Sequence, residues 1–345
     1  MAVRVGVIGA GLMGSTHVRL LSDRVAGAEV AAVSDALPGQ AERVAAECGV
    51  TVVHGDGSEL IRDPGVDAVV VASPAATHVA FVRACLDAGK PVLCEKPLAE
   101  TAEACRELVD AELAAGRRLV QVGFMRRYDP GFADLKLRLD AGLVGSPVLV
   151  RCVHRNAAVS EGYSSDMLIT ESVVHEIDVA RWLLGEELAR VTVHAPRPTS
   201  VAPEGVRDPQ LVVLESETGV LIDVEIFVNA RYGYDIRCEV VGEAGTLSLA
   251  PPVTVEVRRD GRHEADVPSF YRDRFTAAYV EELRVWAASV ADGRPGGPSA
   301  WDGYAAAAVC EAGVAALQGA GGPVDVVLGP RPDLYAEPGE LIGHR

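Results

Sequence analysis

The chain has 345 residues, which at roughly 150 residues per domain means about two domains. Hydrophobic residues make up 49% and charged residues 23%, a globular balance that sets aside disorder and coiled coils. Thirty-two Lys plus Arg against 49 Asp plus Glu leave a net charge of −17, and no basic run occurs, so a nucleic-acid role is excluded. Uncharged apolar runs end at about ten residues (Val5 to Gly14), short of the roughly 20 that a membrane span needs. Met1-Ala2-Val3-Arg4-Val5 opens directly into a strand pattern, with no basic region, apolar stretch and cleavage site of a signal peptide. The seven cysteines are odd in number, scattered and without a CxxC pair. They read as buried reduced thiols of a cytoplasmic protein rather than as disulfides or a zinc site.

From the N-terminus, short apolar runs alternate with amphipathic stretches: Val3–Ile8, Glu29–Val33, Thr51–Val53, Val66–Ala72, Pro91–Cys94 and Arg118–Val122. That order predicts a parallel sheet covered by helices on both faces. One of these helices is Ala102–Ala115, with Thr101 as its N-cap. After Gly123 the texture changes, which places a domain boundary there: residues 1–123, then 124–345. A helix over Pro130–Ala141 leads through Pro147–Arg155 to a helix over Thr170–Leu184. The segments Ala189–Ala195, Gln210–Glu215, Gly219–Asn229, Asp235–Val241, Gly245–Leu249 and Val253–Arg258 follow, and their short turns predict an antiparallel sheet. Helices over Phe275–Ala291 and Trp301–Gln318, split by a breaker at Gly293–Pro298, close the chain.

Gly9-Ala10-Gly11-Leu12-Met13-Gly14 follows the first strand directly and opens a helix. In that setting the first Gly allows the tight turn, the second admits backbone to a pyrophosphate, and the third lets helix pack on strand. Gly9, Gly11, Leu12, Met13 and Gly14 are therefore candidate cofactor contacts. Asp35, 21 residues past Gly14 at the end of the second strand, can accept hydrogen bonds from a ribose diol and would repel a 2′-phosphate, favouring NAD over NADP. Ser73-Pro74 and Glu95-Lys96-Pro97 end the fourth and fifth strands, where ligands of open parallel sheets sit. His78, a turn beyond Ser73, serves either cofactor contact or the helix start.

Lys96, fixed between a buried strand and a proline, can polarise a substrate oxygen; the rival role is a structural ion pair with Glu95. Glu171, His175 and Asp178 follow i,i+4 and i+3 spacing, which predicts one helical face carrying an orienting carboxylate, a base and a second carboxylate. The rival reading is a salt-bridged surface histidine. His175-Glu176 begins an HExxH-like string, but position 179 is Val, so a zinc-peptidase site fails.

The GAGLMG run, Cys94-Glu95-Lys96-Pro97 and His175-Glu176-Ile177-Asp178 together resemble the Gfo/Idh/MocA oxidoreductase family, in particular its inositol 2-dehydrogenase branch. Val122–Asp129, His154-Arg155-Asn156, Tyr232–Ile236, Cys238–Glu243 and Ala300–Tyr304 extend the likeness over nearly the whole chain. The resemblance implies a Rossmann domain followed by an α+β domain whose large open, mainly antiparallel sheet is an oligomer interface, commonly in tetramers. It implies that Lys96 orients the substrate hydroxyl while His175 removes its proton and hydride passes to C4 of the nicotinamide. It also implies that Met125, Arg126, Asn156 and Tyr234 line a cyclitol pocket. The family usually carries Asp where this chain has Glu171, so the pocket is expected to be reshaped, for another inositol isomer or an amino- or deoxy-inositol. Myo-inositol is the leading substrate, with amino-cyclitols and pyranoses as rivals. From other classes, a non-catalytic NAD-binding regulator predicts a broken constellation, and a redox-neutral NAD enzyme predicts no NADH release. A net charge of −17 gives no long-range attraction for a phosphorylated sugar, which favours a neutral polyol or a cationic amino-cyclitol.

Overall fold

The computed structural model describes residues 2–250, 255–294, 296–319 and 322–336. Its strands and helices divide between two compact units. The first comprises the described residues of Met1–Met125, Tyr279–Ala307 and Leu328–Arg345. The second comprises Arg126–Ala278 and Ala308–Val327.

In the first unit β1 (Val3–Ile8), β2 (Ala28–Ser34), β3 (Val53–His54), β4 (Ala68–Val71), β5 (Val92–Glu95) and β6 (Val120–Gly123) form a six-stranded parallel sheet in the order β3-β2-β1-β4-β5-β6. Helices α1 (Leu12–Asp23), α2 (Gln40–Cys48), α3 (Gly57–Arg62), α4 (His78–Asp87) and α5 (Ala102–Ala115) connect them. The central β4 is buried on every residue, which is why it reads as a plain apolar run and not as an alternation. Each fully buried valine there contributes roughly 1.5–3 kcal/mol of transfer free energy. Thr101 caps α5 as expected, its hydroxyl accepting from the Ala104 N–H at 3.1 Å. The order of the sheet reverses at β1, and β1 and β4 are the strands followed by the glycine loop and Ser73.

In the second unit, α6 (Pro130–Asp140) is capped by Asp129, whose carboxylate accepts from the Gly131 and Phe132 N–H groups. The sheet joins β7 (Pro147–Arg155), β8 (Leu188–His194), β9 (Gln210–Ser216), β10 (Leu221–Phe227), β11 (Asp235–Gly242) and β12 (Gly245–Ser248). Helix α7 (Val174–Leu184) lies between β7 and β8 in the chain. The strand order is β12-β11-β7-β10-β9-β8-β15, with β15 at Val324–Asp325. All its pairs are antiparallel except β7 with β10, a departure from the expected pattern, since the chain leaves β7 through α7 and two further strands before returning beside it. The start of the strand expected at Val253–Arg258 lies outside the described residues. Its remainder, β13 (Glu256–Arg259), pairs with β14 (Arg262–Ala265) as a separate hairpin and does not join the large sheet.

Two further differences concern boundaries. The helix expected over Thr170–Leu184 is a π-helical turn, Leu168–Val173, running into α7. The expected second domain, 124–345, also departs from the structure: Tyr279–Ala307 and the described residues after Leu328 belong to the first unit, so the division falls inside α8 (Tyr271–Ala291) and α9 (Ala300–Gln318). Trp286 and Trp301 supply buried bulk to that first-unit portion. Of the expected breaker, Pro295 is outside the described residues. Among the described residues no helix is long and apolar enough to cross a membrane.

Candidate active site

The glycine run sits between the end of β1 and α1. Gly9 has φ +90°, and a Cβ there would lie 2.6 Å from the Ser73 backbone nitrogen. A Cβ on Gly14 would lie 1.7 Å from the Gly9 carbonyl oxygen, so α1 rests directly on the turn. Gly11, the N-cap of α1, faces open space, with no side-chain cap and no acidic residue in the first turn. The positive end of the helix dipole thus borders a volume that even a methyl group would invade, which suits a pyrophosphate. Leu12 is exposed beside it and Met13 half-buried.

Asp35 follows β2. Its Oδ2 accepts the Ala10 N–H at 2.6 Å and its Oδ1 the Leu37 N–H at 2.8 Å, while Gln40 donates to the Ala10 carbonyl at 3.1 Å. The carboxylate therefore braces the glycine loop and, with about four acceptor positions, retains capacity for a ribose diol. Of the two roles open to His78, the structure favours the structural one. Its ring is 1% exposed, with Nδ1 2.8 Å from the Pro97 carbonyl and Nε2 2.9 Å from the Ser73 carbonyl. It ties together the two strand-end turns, the second containing the cis Lys96–Pro97 bond. The Ser73 hydroxyl pairs with Thr77 at 2.6 Å.

Within the second unit the buried residues form an ionic chain. Arg126, 1% exposed, donates through Nη1 to Glu176, and its Nη2 lies 3.3 Å from Nδ1 of His154. His154 Nδ1 is 3.0 Å from Glu176 Oε2, and its Nε2 is 3.2 Å from the amide oxygen of Asn156. The rings of Tyr234 and His175 stand 5.7 and 6.4 Å from that of His154. Burial raises the Glu176 carboxyl, but the neighbouring Arg126 and His154 charges outweigh it and hold the group below the usual carboxylate range. Burial pushes the Tyr234 phenol up. Arg126, His154, Asn156, His175 and Tyr234 are thus brought together. Met125, in the first unit, is buried on the single turn Met125–Tyr128.

His175 is 9% exposed, so the surface-histidine reading does not hold. The single regular helical face is corrected too: Glu171 lies in the π-helical turn and His175 in α7. Asp178 gives both oxygens to Arg127, at 3.0 and 2.5 Å. Sequence reasoning gave no role to His17, His154 or Glu176. The available signal for His17 was a histidine on the stripe of α1 that buries Val18 and Leu21.

Comparison with known proteins decides the family. Residues 3–124 match the oxidoreductase family with an NAD-binding Rossmann fold, and residues 132–248 match the GFO/IDH/MocA C-terminal domain. The chain belongs to the Gfo/Idh/MocA oxidoreductase family. Relatives of this Gfo/Idh/MocA protein include inositol 2-dehydrogenase 1 of Saccharopolyspora erythraea, 56% identical over 97% of this chain and 99% of that one. Inositol 2-dehydrogenase of Pseudomonas fluorescens is 49% identical over 97% and 100%. Among solved structures, myo-inositol dehydrogenase from Lactobacillus casei in complex with NAD(H) and myo-inositol has a TM-score of 0.94 at 38% identity, covering 97% and 100% of the two chains. The Gfo/Idh/MocA protein is an oxidoreductase whose cofactor is NAD, and the glycine cradle fits that cofactor.

Proposed function

We propose that the protein is an NAD-dependent inositol 2-dehydrogenase that oxidises a cyclitol ring hydroxyl to the ketone, with myo-inositol giving 2-keto-myo-inositol (scyllo-inosose) as the leading reaction. The observation that carries this reading is likeness to inositol 2-dehydrogenases over 97% of the chain, at 56% and 49% identity. Lys96 donates from its ammonium to the reacting hydroxyl, orienting it and easing the loss of its proton. His175 accepts that proton, and Glu171 orients the imidazole. Gly9, Gly11 and Gly14 would hold the dinucleotide, which when bound would supply the hydride acceptor for the same carbon. Asn156 and Tyr234 face the polyol, while Met125 and Arg126 are almost fully buried, Arg126 acting on the pocket through Glu176 and His154. Directional donors and acceptors suit a ring that carries a hydroxyl on each carbon.

The assembly is proposed to be a homotetramer built on the open face of the second-unit sheet. Supporting this, that face carries Leu211 and Leu221 in the open, beside the pairs Arg151–Asp223 and Arg155–Glu225. A cytoplasmic location is supported by seven free cysteines, including neighbours Cys152 and Cys238 with sulfurs 4.0 Å apart.

The test is NADH formation over a panel of inositols, scyllo-inosamine and aldoses. Myo-inositol is expected to have the highest kcat/KM, with one NADH per ketone formed; turnover without NADH release would refute the reading. Lys96→Ala and His175→Ala should each lower turnover at least ~10²-fold while NADH still binds. Retained turnover in either would remove that residue from the mechanism.

A further inference from the structure

Glu95 closes β5, and Lys96 follows at once. The Glu95 carboxylate is nearly buried, with Oε1 2.7 Å from Nε2 of His17, itself 0% exposed on α1. The other oxygen, Oε2, accepts the backbone N–H of Lys96 at 3.3 Å. Two groups hold the pair in place. Gly123 on β6 leaves so little room that a Cβ there would stand 3.1 Å from Oε2, and the Tyr279 ring meets the His17 ring edge-on at 6.0 Å between centroids. Nδ1 of His17 is buried and has no hydrogen-bond partner among the described residues.

A core position filled only for packing is better served by an apolar side chain, because burying a histidine and a carboxylate forfeits their hydration. This pair instead links two functional pieces of the first unit. α1 begins at Gly11, the cofactor cradle, and Glu95 is bonded to the main chain of Lys96. We infer that His17 is a positioning residue: through Glu95 it fixes the main chain of Lys96 relative to the helix that receives the dinucleotide. The inference rests on the reading of Lys96 as the group that orients the substrate hydroxyl.

The test uses the full-length enzyme with NAD and myo-inositol, comparing His17→Phe, which keeps a planar ring and loses the N–H, with His17→Gln, whose amide N–H reaches to the same place. His17→Phe is expected to slow single-turnover NADH formation at least about tenfold, as misplacement of a reacting group does, with the NADH Kd changed by less than about twofold. His17→Gln should recover most of that rate. Should His17→Phe not fold, Glu95→Gln, which keeps the side-chain shape and weakens the bond, takes its place with the same expected slowing. A His17→Phe rate equal to the parent's, in an enzyme that Lys96→Ala inactivates, overturns the inference and leaves the Lys96 reading standing. Equal losses of rate and NADH affinity in both His17 variants also overturn it, since they mark a core defect. Full activity in Lys96→Ala would overturn the Lys96 reading itself.

Discussion

Asp35 holds the backbone N–H of Ala10 at 2.6 Å, so the carboxylate read as a ribose ligand also shapes the glycine loop that receives the pyrophosphate. Asp35→Ser should therefore do two things at once. Losing a charged acceptor from the loop should lower kcat/KM for NAD by roughly 10–100-fold, the worth of one charge-assisted hydrogen bond. Removing the negative charge should at the same time raise the ratio of NADP to NAD use. Steady-state kinetics with both cofactors measure the two effects separately, and an unchanged ratio would show that repulsion by Asp35 does not set the preference.

Gly11 and Gly14 separate binding from folding. A methyl group at Gly11 meets nothing within 4 Å, whereas one at Gly14 would stand 1.7 Å from a backbone oxygen that cannot yield. Gly11→Ala is expected to keep the parent melting temperature and weaken NAD binding by about tenfold or more, because it intrudes where the pyrophosphate backbone contact forms. Gly14→Ala should lower both affinity and melting temperature. Calorimetric titration beside thermal unfolding tests the contrast; normal NAD binding by Gly11→Ala would contradict the cradle.

The glycine run, Asp35 and the six parallel strands were legible because their signals are local: a turn that only glycine permits, and apolar runs bounded by helix starts. What escaped depends on partners distant in sequence. His17 gains its meaning from Glu95, 78 residues away, and nothing in α1 names that partner. The π-helical turn at Leu168–Val173 departs from the α-helix read there, and a tertiary bond attends it: Cys310, 141 residues away, donates to the Ile169 carbonyl at 3.7 Å. The parallel pairing of β7 with β10 was invisible to an argument from short turns, because those two strands are not consecutive. Nor does any residue near Tyr279 announce a return to the first unit.

Glu171 gives the third prediction. The resemblance leads to the expectation of a shorter Asp here, and this chain places its longer carboxylate on a π turn, four residues before His175. Side-chain length and helix geometry together set where the carboxylate reaches, so Glu171→Asp should withdraw it by about an ångström. A displacement of that size can cost ~10²-fold in rate. The expected result is a changed rate on myo-inositol together with a changed ranking across the cyclitol panel. If neither rate nor ranking moves, Glu171 does not shape the pocket.

Arg126 and Glu176 give the fourth. Both are almost fully buried, so removing one partner strands the other: Arg126→Leu should destabilise the protein by roughly 3–5 kcal/mol, and Arg126→Leu with Glu176→Leu should recover much of the loss. The pH dependence follows from the Glu176 carboxyl, which the Arg126 and His154 charges hold below its ordinary range despite burial. Unfolded, the same group titrates near ~4.3, so in acid the unfolded chain binds the proton first. The stability it supplies is therefore complete above about pH 5 and is lost as pH falls through the depressed folded value. Glu176→Gln should remove that component, giving a shallower fall in unfolding free energy between about pH 5 and pH 3 than the parent shows. Urea unfolding at a series of pH values measures both slopes, and identical slopes would mean that Glu176 carries no such linkage.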